Sequence, residues 1–264
     1  RGEIAMKNIL KIMLMMITIY TIAGSAVYAA EIPVSDQDQL ITSSDWTEIS
    51  NLQDEMKKEE PDATIDYDKA LKVYVDCNLI KLQTADTKKL TSALESANYV
   101  WVIPFKMEKT YGMFTVAKGL PLREEAKSVL TKAEQEEVKN HAGKWMITET
   151  AEHTVEPYYD ILLEKREALS DCTRVVLVGS QPGMRQPVAL GMDDETARIW
   201  ISLGYQYPVM EKIPETQNVE SGVYSFESVA DISDTYIEDS EVSTGAGVQS
   251  RSSMKYVAGI GIIV

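Results

Sequence analysis

Residues 174–203 read RVVLVGSQPGMRQPVALGMDDETARIWISL, and this stretch decides the fold class. Arg174 to Val178 is a short, nearly continuous apolar run, the pattern of a strand buried on both faces. Gly179, Ser180, Pro182 and Gly183 are turn formers that lead to a second apolar run, Val188–Gly191. Asp193 and Asp194 then turn the chain into Ala197–Leu203. There Ala197, Ile199, Ile201 and Leu203 alternate with Arg198, Trp200 and Ser202, as side chains do on the two faces of a strand. Three strands joined by short turns predict an antiparallel meander.

Elsewhere in the chain the same patterns predict strands at Leu71–Asp76, Tyr99–Phe105, Met113–Ala117 and Trp145–Thr150. Glu108, Lys109, Thr110 and Gly112 lie between the second and third of these and mark a hairpin. Helices are predicted where the spacing changes to three and four. The first starts at Asp45, which can cap it with Glu48 in support; Trp46, Ile49, Leu52 and Met56 share a face and Pro61 ends it. Thr84–Ala97 groups Leu90, Ala93, Leu94 and Ala97. Pro121–Asn140 carries the longest stripe, Leu122, Ala126, Val129, Leu130 and Ala133, and Gly143 suits the end of that helix. Thr154–Leu169 puts Tyr158, Ile161, Leu162 and Leu169 inward. Helices and hairpins mix without strict β-α-β alternation. The expected class is therefore α+β, with helices packed on a mostly antiparallel sheet. The halves 66–145 and 146–210 are candidate subdomains, although nothing between them resembles a linker.

The ends of the chain bear on location. Met6–Ala30 has Lys7 and Lys11, then the apolar run Ile12–Ile22, then Val27-Tyr28-Ala29. This is the layout of a secretory signal peptide cleaved after Ala29. The alternative is a retained anchor, but the run is shorter than the roughly 20 residues that span a bilayer. Residues 1–5 read as sequence upstream of the signal. Residues 30–65 read as a polar lead-in and a helix, and 66–214 as the folded domain. Residues 215–255 read as an acidic Ser/Gly-rich stalk, and Tyr256–Val264 as an apolar tail. The tail is either the start of a transmembrane anchor or a closing strand. Signal peptide, α+β ectodomain, stalk and tail together resemble uncharacterised surface-anchored proteins of Gram-positive bacteria. The resemblance implies an extracytoplasmic location, secreted or on the outer face of the membrane, and brings no catalytic motif with it.

Charge excludes some partners. The chain has 26 basic and 41 acidic residues, a net of −15. Without residues 1–29 the balance is 23 to 40, a net of −17. Such a surface repels phosphates and anionic lipid heads, which rules out a nucleic-acid partner. It suits cations or a basic partner, or serves only to keep an exported protein soluble. Cys77 and Cys172 are the only cysteines. In an oxidising compartment they either pair once or stay apart as small buried residues.

Residues that bear chemistry are few. His141 and His153 fit no zinc spacing; His141 belongs to a helix end, where an imidazole complements the dipole. Ser180 follows a strand, yet the nucleophile elbow requires a helix next, and here a strand follows. Asp193, Asp194 and Glu195, and separately Asp231, Asp234, Glu238 and Asp239, lack the spacing of a calcium loop. Trp101, Trp145 and Trp200 sit on strands, where they either line a groove for a carbohydrate or peptide or, as aromatic residues on strands usually do, pack into the core. Trp200 lies opposite the Ala197–Leu203 stripe, so it is either covered by a helix or exposed for binding. Trp200 and Arg198 are the candidate binding surface. No catalytic residue, metal ligand or cofactor motif stands out. The expected function is binding of an extracellular protein, peptide or envelope component, with membrane attachment through the tail. The alternative is an extracellular hydrolase with an unrecognised site.

Overall fold

The computed structural model describes residues 32–232, apart from Thr154, Ser180, Arg185, Gln206 and residues 215–217. The signal-like segment, Asp234, Glu238, Asp239 and the apolar tail lie outside the described residues. In chain order the elements are α1 (Trp46–Ile49), α2 (Gln53–Glu59), β1 (Thr64–Ile65), β2 (Leu71–Val75), α3 (Thr87–Ser96), β3 (Asn98–Lys106), β4 (Tyr111–Lys118), α4 (Lys132–His141), β5 (Trp145–His153), α5 (Tyr158–Glu164), β6 (Arg174–Val178), β7 (Val188–Met192), β8 (Ala197–Ser202), β9 (Asn218–Glu220) and β10 (Val223–Ser225). Residues 226–232 are also helical. No helix among the described residues is long and apolar enough to cross a membrane.

The strands form one sheet in the order β5-β4-β3-β2-β6-β7-β8-β10-β9, with β1 on the far end of β3. All pairs are antiparallel except β2 with β6, where Val73 lies opposite Leu177. The fold is α+β. Two meanders grow in opposite directions from that single parallel seam, so the two candidate halves are parts of one sheet.

Alternation along the strands makes two apolar faces. On one, Leu71, Val73, Val102, Leu177, Ala189 and Ile201 are buried with Tyr158, Leu162 and Leu169. On the other, Val176, Val178, Leu190 and Trp200 pack with Leu90 and Leu94 of α3 and with Phe226 and Val229. Beside them on that face, Trp101, Ile103, Phe105, Phe114 and Trp145 pack with Leu40, Ile49 and Met56. Each large side chain so buried contributes about 1.5–3 kcal/mol. The stripe on α3 thus lies where its spacing places it, and Asp86 caps that helix by accepting from the Lys88 and Lys89 amides.

Six expectations differ from the structure. Asp45 makes no side-chain cap to α1; its carboxylate accepts from Tyr99 Oη at 2.9 Å and Trp101 Nε1 at 3.0 Å instead. Two neutral donors on the sheet outcompete the solvated helix amides. Gly112 is not a turn residue but pairs with Phe105 inside β4. A Cβ there would sit 2.1 Å from the Phe105 ring, so the glycine makes room for that ring. The Pro121–Asn140 helix is broken: a 3-10 turn spans Glu125–Ser128, and α4 begins only after Thr131. The predicted stripe has no sheet face to pack on, and the Thr131/Glu134 capping box starts a new helix there. The helix expected over Thr154–Leu169 is regular only over Tyr158–Glu164. The assigned stalk starts too early, because β9, β10 and residues 226–232 complete the sheet and bury Val223, Phe226 and Val229. Their polar neighbours hide these few apolar positions in any average of composition. The polar lead-in is likewise anchored, with Ile32, Val34 and Leu40 buried.

Candidate interaction surface

The chain between β4 and β5 leaves the sheet as an arm. Its base is closed at Gly119, whose N–H donates to Lys144 O at 2.9 Å and whose carbonyl accepts from Gly143 N at 2.7 Å. Gly143 takes φ +74° there, a conformation that favours glycine. From residue 120 to residue 144 no residue is buried, and Val129 is 80% exposed. The arm is held by its own polar groups. The capping box orders the start of α4. Gln135 Nε2 donates to Lys127 O at 3.0 Å and Leu130 O at 2.9 Å. Lys127 pairs with Glu124, and Lys139 with Glu136 at 2.6 Å. His141 ends α4, as expected of a helix terminus.

The arm runs directly into β5, which is an outer edge of the sheet. β5 has nine residues and pairs with β4 on one side only. Among the described residues, no backbone bond outside the sheet ladder reaches positions 145–152. A bulge leaves Thr148 without an opposite residue, and its hydroxyl bonds to Thr115 O at 3.1 Å. The cross-strand register puts Thr150 and Glu152 on the face of Phe114, and Glu149 and Ala151 on the face of Met113. Glu149 and Glu152 are exposed. At the end of α2, Glu59 accepts from Thr150 Oγ1. Beside it, the Glu60 carboxyl is held above its ordinary value, first by burial and then by the charges of Glu152 and Glu59. Among the described residues, none of Glu59, Glu60, Glu149 and Glu152 has a cationic group within 4.0 Å.

A second polar cluster lies at the seam of the two meanders. Asp38 is 2% exposed and accepts from Ser35 Oγ at 2.6 Å, Tyr74 Oη at 2.7 Å and Arg174 Nη2 at 2.9 Å. Lys72 Nζ is 3.9 Å from the same carboxylate and 4.5 Å from the centre of the Tyr99 ring. Burial lowers the Lys72 pKa, Asp38 and Asp45 oppose that shift, and Arg174 adds to it. The acid at the centre answers the cations around it. The cluster therefore works as a joint that ties residues 35–38 to β2 and β6.

The residues singled out from the sequence scatter. Trp200 is fully buried and stacked on Phe226, ring centres 5.6 Å apart. Residues 226–232 cover it, so Trp200 is no binding surface. Arg198 is exposed but bound to Asp193, Nε to Oδ2 2.6 Å. Trp101 and Trp145 are buried. Cys77 and Cys172 are both free and belong to clusters on opposite faces of the sheet. Burial is the main reason that each thiol is pushed up to about 11, which leaves little thiolate for attack at neutral pH. Asp193 accepts from the Glu195 and Thr196 amides at 2.8 and 2.6 Å, so it closes a turn, and these bonds hold its pKa low. Ser180 lies outside the described residues, and His153 is described only as the last residue of β5. Among the described residues, no three His, Cys, Asp or Glu side chains gather to hold a metal. The arm and the open edge were missed because edge position depends on strand order. Their one local trace is Thr148 to Glu152, TETAE, a strand half with no large apolar residue. No protein-family model, curated protein or solved structure matches this chain.

Proposed function

We propose that the chain is exported, is tethered at the cell surface, and binds an extracellular protein, peptide or envelope component through the arm and β5. Export rests on the layout of Met6–Ala30, and tethering on the apolar tail. The observation that carries binding is the arm itself. Most helices in proteins owe their stability to an apolar face packed on the fold. α4 and the turn before it bury no residue, yet they are capped and cross-bonded at the projecting end of an edge strand. A segment built this way serves something other than its own core. A hydrolase reading finds less support, since both thiols sit in core clusters with raised pKa values.

The test joins Gly119 to Trp145 by a short Gly-Ser turn and compares this chain with the parent on intact cells. The shortened chain is expected to be exported, to melt like the parent, and to lose chemical crosslinking to any second component. Equal crosslinking by the two chains would sink the assignment. N-terminal sequencing of the exported material is expected to begin at Ala30, and retention of Met6 would refute cleavage.

A further inference from the structure

We propose that the outer edge of β5 takes up an extended segment of another polypeptide as an eleventh strand, and that this segment carries two basic residues three positions apart. The inference deepens the binding reading above and rests on it. Its first ground is the backbone. A strand of nine residues is about 30 Å long. Among the described residues, the backbone of positions 145–152 bonds within the sheet ladder alone. Strand addition supplies main-chain bonds to such an edge, and the side chains beside it set the choice of partner.

The second ground is charge. Residues opposite one another on paired strands have Cβ atoms about 5 Å apart. A residue paired with Glu152 meets the face where Thr150 bonds Glu59 and where the charges of Glu152 and Glu59 act on Glu60; among the described residues none of these three acids has a cationic partner. A residue paired with Glu149 meets the other face. Positions three apart point to opposite faces of a strand, so one basic residue at each position answers both acids. The same acids argue against a second copy of this chain, because pairing β5 with β5 would bring Glu149 and Glu152 of both copies together. Edges are often blunted by bulges and charge, and β5 has both. The opposite edge is treated differently: β9 has only three residues and is held down by Lys165.

The experiment uses the full chain and two synthetic peptides, TVTKVTKTVT and TVTEVTETVT, followed by calorimetry and backbone hydrogen exchange. The lysine peptide is expected to bind and to slow exchange of amides in 145–152, while the glutamate peptide does neither. Glu149→Gln with Glu152→Gln, both on exposed side chains, is expected to weaken binding about fivefold, as loss of two solvent-screened pairs should. Charge reversal with E149K and E152K is expected to transfer the preference to the glutamate peptide. Binding without protection of β5, or binding indifferent to peptide charge, overturns the proposal. So does protection of β5 by self-association without peptide. If the lysine peptide fails while removal of residues 120–144 still abolishes crosslinking on cells, only this inference falls. If both fail, the binding reading falls with it.

Discussion

The two edges of the sheet are built by opposite rules. β5 is nine residues long and open along its outer side among the described residues. β9 is three residues long, and Lys165 from beyond α5 donates to Ser221 O at 2.7 Å and pairs with Glu220 at 3.2 Å. A short, clamped strand offers little template to another chain, whereas a long one with free backbone groups offers a complete one. The same sheet therefore closes one border and leaves the other available. Joining them is the seam at β2 and β6, where Asp38 gathers Tyr74, Arg174 and Lys72.

The largest loss is expected at that seam. Asp38→Ala removes the buried carboxylate that serves buried Tyr74 and half-buried Arg174 and Lys72, and should cost about 3 kcal/mol, because the two cations are left without their counter-charge. The urea midpoint is the measurement; an unchanged midpoint would mean that the seam is not the joint described. A smaller effect is expected at the closed border. Lys165→Met loses one bond to a carbonyl and one partly exposed pair, about 1 kcal/mol in total. Faster hydrogen exchange confined to 218–225 would show that the clamp acts on β9; unaltered exchange there would show that it does not.

Lys72 makes the seam sensitive to pH. Its pKa is lowered in the folded chain, chiefly by burial, so the unfolded chain binds this proton more tightly. Stability from this group therefore rises with pH just below its ordinary value of 10.5. Buried tyrosines act oppositely at higher pH, because the folded state keeps their protons longer; Tyr207 is one, held above its ordinary value by burial. The clean measurement is the difference in stability between the parent and Lys72→Met as pH is raised, and a flat difference would refute the shift. The smallest effect belongs to the arm. Val129→Ser should change global stability by less than about 0.5 kcal/mol, since the side chain is 80% exposed. A larger loss by calorimetry would mean that the arm packs on the fold after all.

Local pattern carried much of the fold. The meander in 174–203, the 99–117 hairpin and the α3 stripe follow from alternation, turn residues and three-four spacing, which depend on neighbours in the chain. Where a residue's fate depended on distant chain, the same rules misled. The stripe in 121–140 has the spacing of a buried face but nothing to bury it against. Asp45 has the position of a cap but meets the Tyr99 and Trp101 donors first. The candidate surface was nearly invisible, with only TETAE as a trace.

The α+β class, the strand and helix periods and the strongly acidic charge were legible without any structure, because they depend on composition and on residues a few positions apart. Strand order and distant contacts settled the rest: two meanders share one parallel seam, Phe226 covers Trp200, and β5 stands at a sheet border where, among the described residues, Glu59, Glu60, Glu149 and Glu152 have no cationic partner. Those facts depend on strand order and on contacts between residues far apart in the chain, and no local period records which neighbour a strand will find.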